Sequence, residues 1–218
     1  MKTTGKHRDE AERRAVSRTD GAGKQTGPSR VRCPWCLGDQ VYMDYHDREW
    51  GRPVKDGRKL FEFLVLEGAQ AGLSWITILR RREGYRAAFD GFDPEKMARY
   101  GERDIARLLK DERIIRNRLK IISAISNARA FLRFEAGPIP FSRWLWSQTG
   151  GKPVVNRFKT PAELPAATPL AERISKDLKK SGFTFVGPVI VYSLLQATGL
   201  VNDHLTDCFC HPDNRKKA

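Results

Sequence analysis

The chain has 218 residues, enough for one domain of ordinary size or two small ones, and 40% of them are hydrophobic. Its apolar runs fall short of the roughly 18 to 20 residues that a membrane span needs, and the N-terminus lacks an apolar h-region; neither a membrane protein nor a secretory leader is expected, and a cytoplasmic setting is. Lys and Arg number 40 against 26 Asp and Glu, a formal charge of +14 that suits a polyanionic partner without naming one.

Residues 1–31 carry eight basic and four acidic side chains and almost no large apolar ones, so they cannot bury enough surface to offset their ordering entropy. They are expected to be a disordered basic tail, with 32–212 as the folded domain and 213–218 as a short basic C-terminal tail. About +8 of the charge stays on the folded part. From Cys33 onward the pattern is helix joined by Gly and Pro punctuation, with few alternating strand patterns, so the fold class is all-α.

Asp56 is positioned as an N-cap for a helix from Arg58 through "KLFEFLVLEGAQAGLSW" and beyond. Within it Leu60, Leu64, Glu67, Ala71, Trp75 and Ile78 share one stripe about 80° wide, provided Gly68 and Gly72 do not break the helix. Glu67 then puts a carboxylate on an apolar face. Burial of such a group without a partner is costly and raises its pKa, so it has either a structural partner or a task in a pocket near Trp75. Asp93 followed by Pro94 marks another helix start. A longer amphipathic helix runs from Ile114, with Ile115, Leu119, Ile122 and Leu132 as its inner stripe and Arg116, Arg118, Lys120, Arg129 and Arg133 largely outside it.

Thr168 and Pro169 open a helix that ends before Gly182, with Lys179 and Lys180 near its C-terminus. A second helix runs from Pro188 to about Gly199, and only "GFTFVG" separates the two. Helix, short hairpin, helix is either an ordinary αα-hairpin or a helix-hairpin-helix element, whose glycine brings backbone N–H groups to a phosphate. The cysteines and histidines cluster at the two ends of the folded part, Cys33, Cys36 and His46 at one and His204, Cys208, Cys210 and His211 at the other. Four of them suffice for a structural zinc that ties the ends together, although spacing cannot pick which four, and free buried cysteines are the alternative. The stretch "YMDYHDREW" sets Tyr42, Tyr45 and Trp50 around His46 and leaves open whether it serves a core, a metal or a pocket.

Taken together, "YHDREWG", "LEGAQAGLSW", "GFTFVGP" and "GLVNDHLTDC", in that order, resemble the bacterial 3-methyladenine-DNA glycosylase I family, from about Arg32 to Pro212. The resemblance implies an all-helical fold of the helix-hairpin-helix glycosylase superfamily that hydrolyses the bond between deoxyribose and 3-methyladenine in alkylated duplex DNA. It implies one structural Zn2+ per chain held by Cys33, His46, His204 and Cys208; a monomer is expected. Cys36 departs from the family pattern, so a Cys33, Cys36 pairing stays open. The family's base pocket maps onto Trp35, Tyr42, Tyr45, Trp50, Glu67 and Trp75, where aromatic faces would stack an extruded, cationic base and Glu67 would accept from its amine. The "QAGL" loop, with Gln70, Gly72 and Leu73, would fill the gap left in the duplex, and Lys179, Lys180 and Gly187 would meet the DNA backbone.

No lysine stands beside "GLVND" to form a Schiff base, so hydrolysis without strand cleavage is expected. Asp203 lies close to where much of the superfamily keeps a catalytic Asp, but its neighbour is the ligand His204, and a structural role is expected. Two rival functions are a catalytically silent zinc-stabilised DNA-binding protein, which would bind DNA with steep salt dependence and release no base, and a zinc hydrolase unrelated to DNA. The second would need an open metal position, which two Cys and two His do not leave.

Overall fold

The computed structural model describes residues 30–215. Apart from Arg30 and Val31, the expected N-terminal tail lies outside them, as do the last three residues of the expected C-terminal tail. In chain order the helices are α1 (Gln40–Arg48), α2 (Gly57–Gln70), α3 (Trp75–Leu79), α4 (Arg82–Ala88), α5 (Pro94–Met97), α6 (Glu102–Lys110), α7 (Arg118–Glu135), α8 (Phe141–Ser147), α9 (Pro169–Lys180), α10 (Pro188–Ala197) and α11 (Pro212–Arg215). Among the described residues no helix is long and apolar enough to cross a membrane. The expectation of an all-helical chain needs one amendment. Strand β1 (Val154–Val155) pairs in parallel with β2 (Val201–Asn202), two residues each, which fixes the segment after α8 against the segment after α10. Asp213 to Arg215, expected as tail, form most of α11.

Helix starts follow local chemistry. The side chains of Asp39, Asp56, Asp93, Asn117 and Thr168 accept from the backbone N–H three residues on, at 2.7–3.2 Å, and each relieves one of the helix's orphan donors. Proline at the first position pre-sets φ in α5, α9 and α10. Asn117 caps α7 at Arg118, so Ile114 to Arg116 precede the helix rather than begin it.

The expected inner stripe of α7 is also wrong. Leu119 is 67% exposed and Ile122 39%, while Ile121, Ala124, Ile125, Ala128 and Phe131 are buried. The face turned to α2 and α5 uses two alanines because the neighbouring helices run close, and a pattern built on large side chains overlooks them.

At the centre lies α2, buried without interruption from Leu60 to Ala69 and packed on α7, α10 and α3. It does not continue to Trp75. Ala71 is the C-cap and Gly72 takes φ +76°, a conformation that costs a residue with Cβ, so the chain turns and α3 starts afresh. α9 and α10 pack together across a seven-residue link, 181–187, that is tied inward to α7: Asn127 Oδ1 accepts from Thr184 N at 2.8 Å and Asn127 Nδ2 donates to Thr184 O at 3.0 Å.

Candidate active site and metal centre

α1 carries two sites on adjoining faces. On one, Tyr42 and Tyr45 join Trp35, Trp50, Glu67, Gln70, Trp75, Leu164, Ser193 and Gln196 around a cavity of about 190 Å³. Trp35 meets Tyr42 and Trp50 edge-on at centroid separations of 4.8 and 5.0 Å, and Tyr45 lies 5.5 Å from Trp75. All six residues expected for a base pocket therefore share one wall system, and Gln70 from the "QAGL" segment joins them.

Glu67 is 3% exposed, and its Oε2 has no hydrogen-bond partner among the described residues; the same holds for the Trp75 indole Nε1. Buried polar groups are rarely left so, and each costs about 1–3 kcal/mol. Burial alone pushes the Glu67 carboxyl up to about 8, with no neighbouring cation to offset it. A cavity walled by electron-rich rings, holding an acceptor short of a partner and an indole donor beside it, is complementary to a flat, electron-poor ring that bears an amine.

On the other face of α1, His46 meets Cys33, His204 and Cys208, all buried, with one donor atom from each within 4.8 Å of the others. His46 Nε2 is 3.4 Å from Cys208 Sγ, and His204 Nδ1 is 3.6 Å from Cys208 Sγ and 3.7 Å from Cys33 Sγ. Tetrahedral zinc with bonds of about 2.3 Å to sulfur and about 2.05 Å to nitrogen sets S and N about 3.6 Å apart, so the four residues fit the ion. Their outer contacts agree. His46 Nδ1 donates to Asp47 at 2.8 Å and His204 Nε2 to Trp50 O at 3.1 Å, which leaves the inward nitrogens as lone-pair donors.

Cys36 does not enter the group. Its thiol donates to Cys33 O at 3.2 Å, and burial pushes it up to about 11. Cys210 also stays out, its thiol turned toward His46 O and Asp47 O. The charged residues of "YMDYHDREW" gain roles too: Asp47 orients His46 and is itself held by Arg32, and Glu49 forms a two-pronged pair with Arg82.

The remaining expected residues belong neither to the cavity lining nor to the Cys and His group. Gly72 and Leu73 lie in the turn after α2, with Leu73 40% exposed. Lys179 and Lys180 are exposed at the end of α9, and Gly187 is the N-cap of α10. Asp203, 1% exposed, accepts from Asn156 and Gln196 at 2.7 Å each and from the Tyr192 hydroxyl, which leaves it engaged within the protein.

Sequence reasoning missed Leu164, Ser193, Gln196 and Lys120. Two polar residues three apart on the otherwise apolar α10 were a readable signal for Ser193 and Gln196; Leu164, in a loop, offered none. Lys120 was assigned to the outer surface, yet its Nζ donates to Ala69 O at 2.8 Å and Ala71 O at 2.7 Å and so closes the C-terminus of α2.

The family model for methyladenine glycosylase matches residues 35–211. DNA-3-methyladenine glycosylase 1 of Escherichia coli (strain K12) is 50% identical over 184 residues, covering 84% of this chain and 98% of that protein. A crystal structure of a 3-methyladenine DNA glycosylase I superposes with a TM-score of 0.82 at 51% identity, covering 84% of this chain and all of that one. The Staphylococcus aureus 3-methyladenine DNA glycosylase I, solved for the structural basis of 3-methyladenine recognition, gives 0.80 at 41% identity, covering 83% and 96%. With a cavity of this chemistry and a match over most of its length, the chain belongs to the methyladenine glycosylase family.

Proposed function

We propose that the protein is a DNA-3-methyladenine glycosylase, which hydrolyses the N-glycosidic bond of 3-methyladenine in alkylated duplex DNA and leaves an abasic site without cutting the strand. The observation that carries this is the unpartnered Glu67 carboxyl beside Trp75 in an aromatic cavity, in a chain half identical to the Escherichia coli enzyme. The nucleotide swings out of the duplex, and the base enters between the rings of Trp35, Tyr42, Tyr45, Trp50 and Trp75. Stacking offsets the lost base pairing at roughly 1–3 kcal/mol.

N3-methylation makes the adenine of the intact nucleotide cationic, which strengthens its attraction to the ring faces and to Glu67. An empty pocket holds Glu67 largely protonated near neutral pH; the arriving cation draws the proton off and pairs with the carboxylate. As the bond between C1′ and the base breaks, the electron pair leaves with the base, which becomes neutral; water adds to C1′ and gives up one proton to solvent, which leaves a hydroxyl there. The turn with Gln70, Gly72 and Leu73 occupies the space vacated in the duplex, while the N–H groups before α10, with Lys179 and Lys180, hold the backbone.

Cys33, His46, His204 and Cys208 would hold one zinc ion, which would supply no chemistry at the base and would instead fasten the segment before α1 to the segment after β2.

The decisive assay incubates the protein with methylated DNA and identifies the released bases. The wild type should release 3-methyladenine, and Glu67→Gln and Trp75→Ala should each lose about 10²-fold or more with folding intact. Full activity in both variants would refute the pocket assignment.

A further inference from the structure

We propose that Gln196 is a specificity residue that reads the base as a fixed hydrogen-bond acceptor, and that Asp203 is the positioning residue that locks it in that role. The proposal rests on the functional reading above and assigns it a selection rule.

Gln196 lines the cavity from α10, and its Nε2 donates to Asp203 Oδ2 at 2.7 Å. A carboxylate accepts and cannot donate, so the carboxamide has one permitted orientation: turned over, it would set two acceptor oxygens against each other. Asp203 is itself pinned by Asn156 Nδ2 at 2.7 Å and by the Tyr192 hydroxyl. Gln196 Oε1 has no hydrogen-bond partner among the described residues, and Gln196 lines the cavity, so the carbonyl half of the amide is the part left for a ligand. Ser193, one turn earlier on α10, has a hydroxyl that can donate or accept and so imposes no choice.

Adenine and guanine differ at the six position, where adenine presents an amine donor and guanine a carbonyl acceptor. Glu67 does not fix that difference by itself. Against the cationic adenine it accepts as a carboxylate, but a carboxyl pushed up to about 8 can keep its proton and donate to a carbonyl. Gln196, with its N–H2 held by Asp203, offers the base its carbonyl oxygen, an acceptor. It suits the adenine amine and opposes the guanine carbonyl, and sites with fixed polarity reject mismatched partners far more strongly than apolar pockets do.

The test measures single-turnover release of 3-methyladenine and 3-methylguanine from the same methylated duplex by wild type, Asp203→Asn and Gln196→Met. In Asp203→Asn the new amide can donate to Gln196, which frees the carboxamide to turn its N–H2 into the cavity. The ratio of 3-methylguanine to 3-methyladenine release should rise about tenfold or more. Gln196→Met should lose about tenfold in 3-methyladenine release and also raise the ratio. Thermal melting and bound metal are measured for both, because Asp203 adjoins His204; if Asp203→Asn does not fold, Gln196→Met decides. Wild-type ratios in every folded variant would overturn the proposal and leave the glycosylase reading standing. A wild type that releases neither base would remove that reading, and this one with it.

Discussion

Glu67 ties the pocket's chemistry to the protein's stability. Its folded-state pKa, about 8, lies above the ordinary carboxyl value, so folding favours the protonated form. That contribution is fully present below the unfolded pKa, near 4.3, and is lost as pH rises through the folded value. Glu67→Gln removes the penalty. Its melting temperature should exceed that of wild type at pH 8.5 by the equivalent of a few kcal/mol, and the difference should shrink toward zero at pH 5. Calorimetry at the two pH values checks this, and a pH-independent difference would mean that the carboxyl is paired in solution. At this scale much of the site was legible, because a carboxylate between Leu64 and Ala71 on an apolar stripe is anomalous in any soluble helix. Gln196 was legible only as a polar residue on an apolar helix; its tie to Asp203, seven residues away and across the end of that helix, was not.

Helix boundaries were readable wherever a cap chemistry wrote them. Asp56, Asp93 and Thr168 each cap the helix assigned to them. Helix faces were less readable, as α7 demonstrates: Leu119 and Ile122 point outward because close packing on α2 and α5 selects Ala124 and Ala128 instead. The same error hid Lys120, which sits among arginines in the sequence but reaches the last carbonyls of α2, where a cation also suits the helix dipole. Lys120→Met should cost about 1–2 kcal/mol of stability, since both carbonyls lose a charged donor. It should also loosen the turn that holds Gly72 and Leu73. The measurable signature is a several-fold weaker engagement of methylated duplex with affinity for the free base unchanged, because Glu67 and the rings lie outside that turn. Equal loss for DNA and free base would instead indicate general unfolding.

Across the whole molecule, the Cys and His group joins segments about 170 residues apart and shares α1 with the pocket. The two-ended clustering was visible in the sequence, but the choice of Cys33 over Cys36 was not, since it depends on which sulfur faces His204 and Cys208 once β2 has positioned them. Purified protein should contain one zinc per chain, and Cys36→Ser should retain it. Chelation should lower the melting temperature markedly, with activity lost only as the fold is lost. A chelated protein that stays folded but inactive would assign the metal to the chemistry.

The closeness of the two ends of the described residues bears on connectivity. Phe209 N donates to Val31 O at 2.9 Å, and Arg30 lies over the Phe209 ring, so the two ends of the described chain run side by side. A short linker from residue 212 to residue 30, with new termini opened at the exposed turn of Gly150 and Gly151, should give a circular permutant that folds and releases base. In that order only seven residues and the linker separate Cys208 from Cys33, so the metal would close a short loop rather than nearly the whole chain. Chelation should then cost the permutant less stability than it costs the natural order, because closing a shorter loop removes less chain entropy.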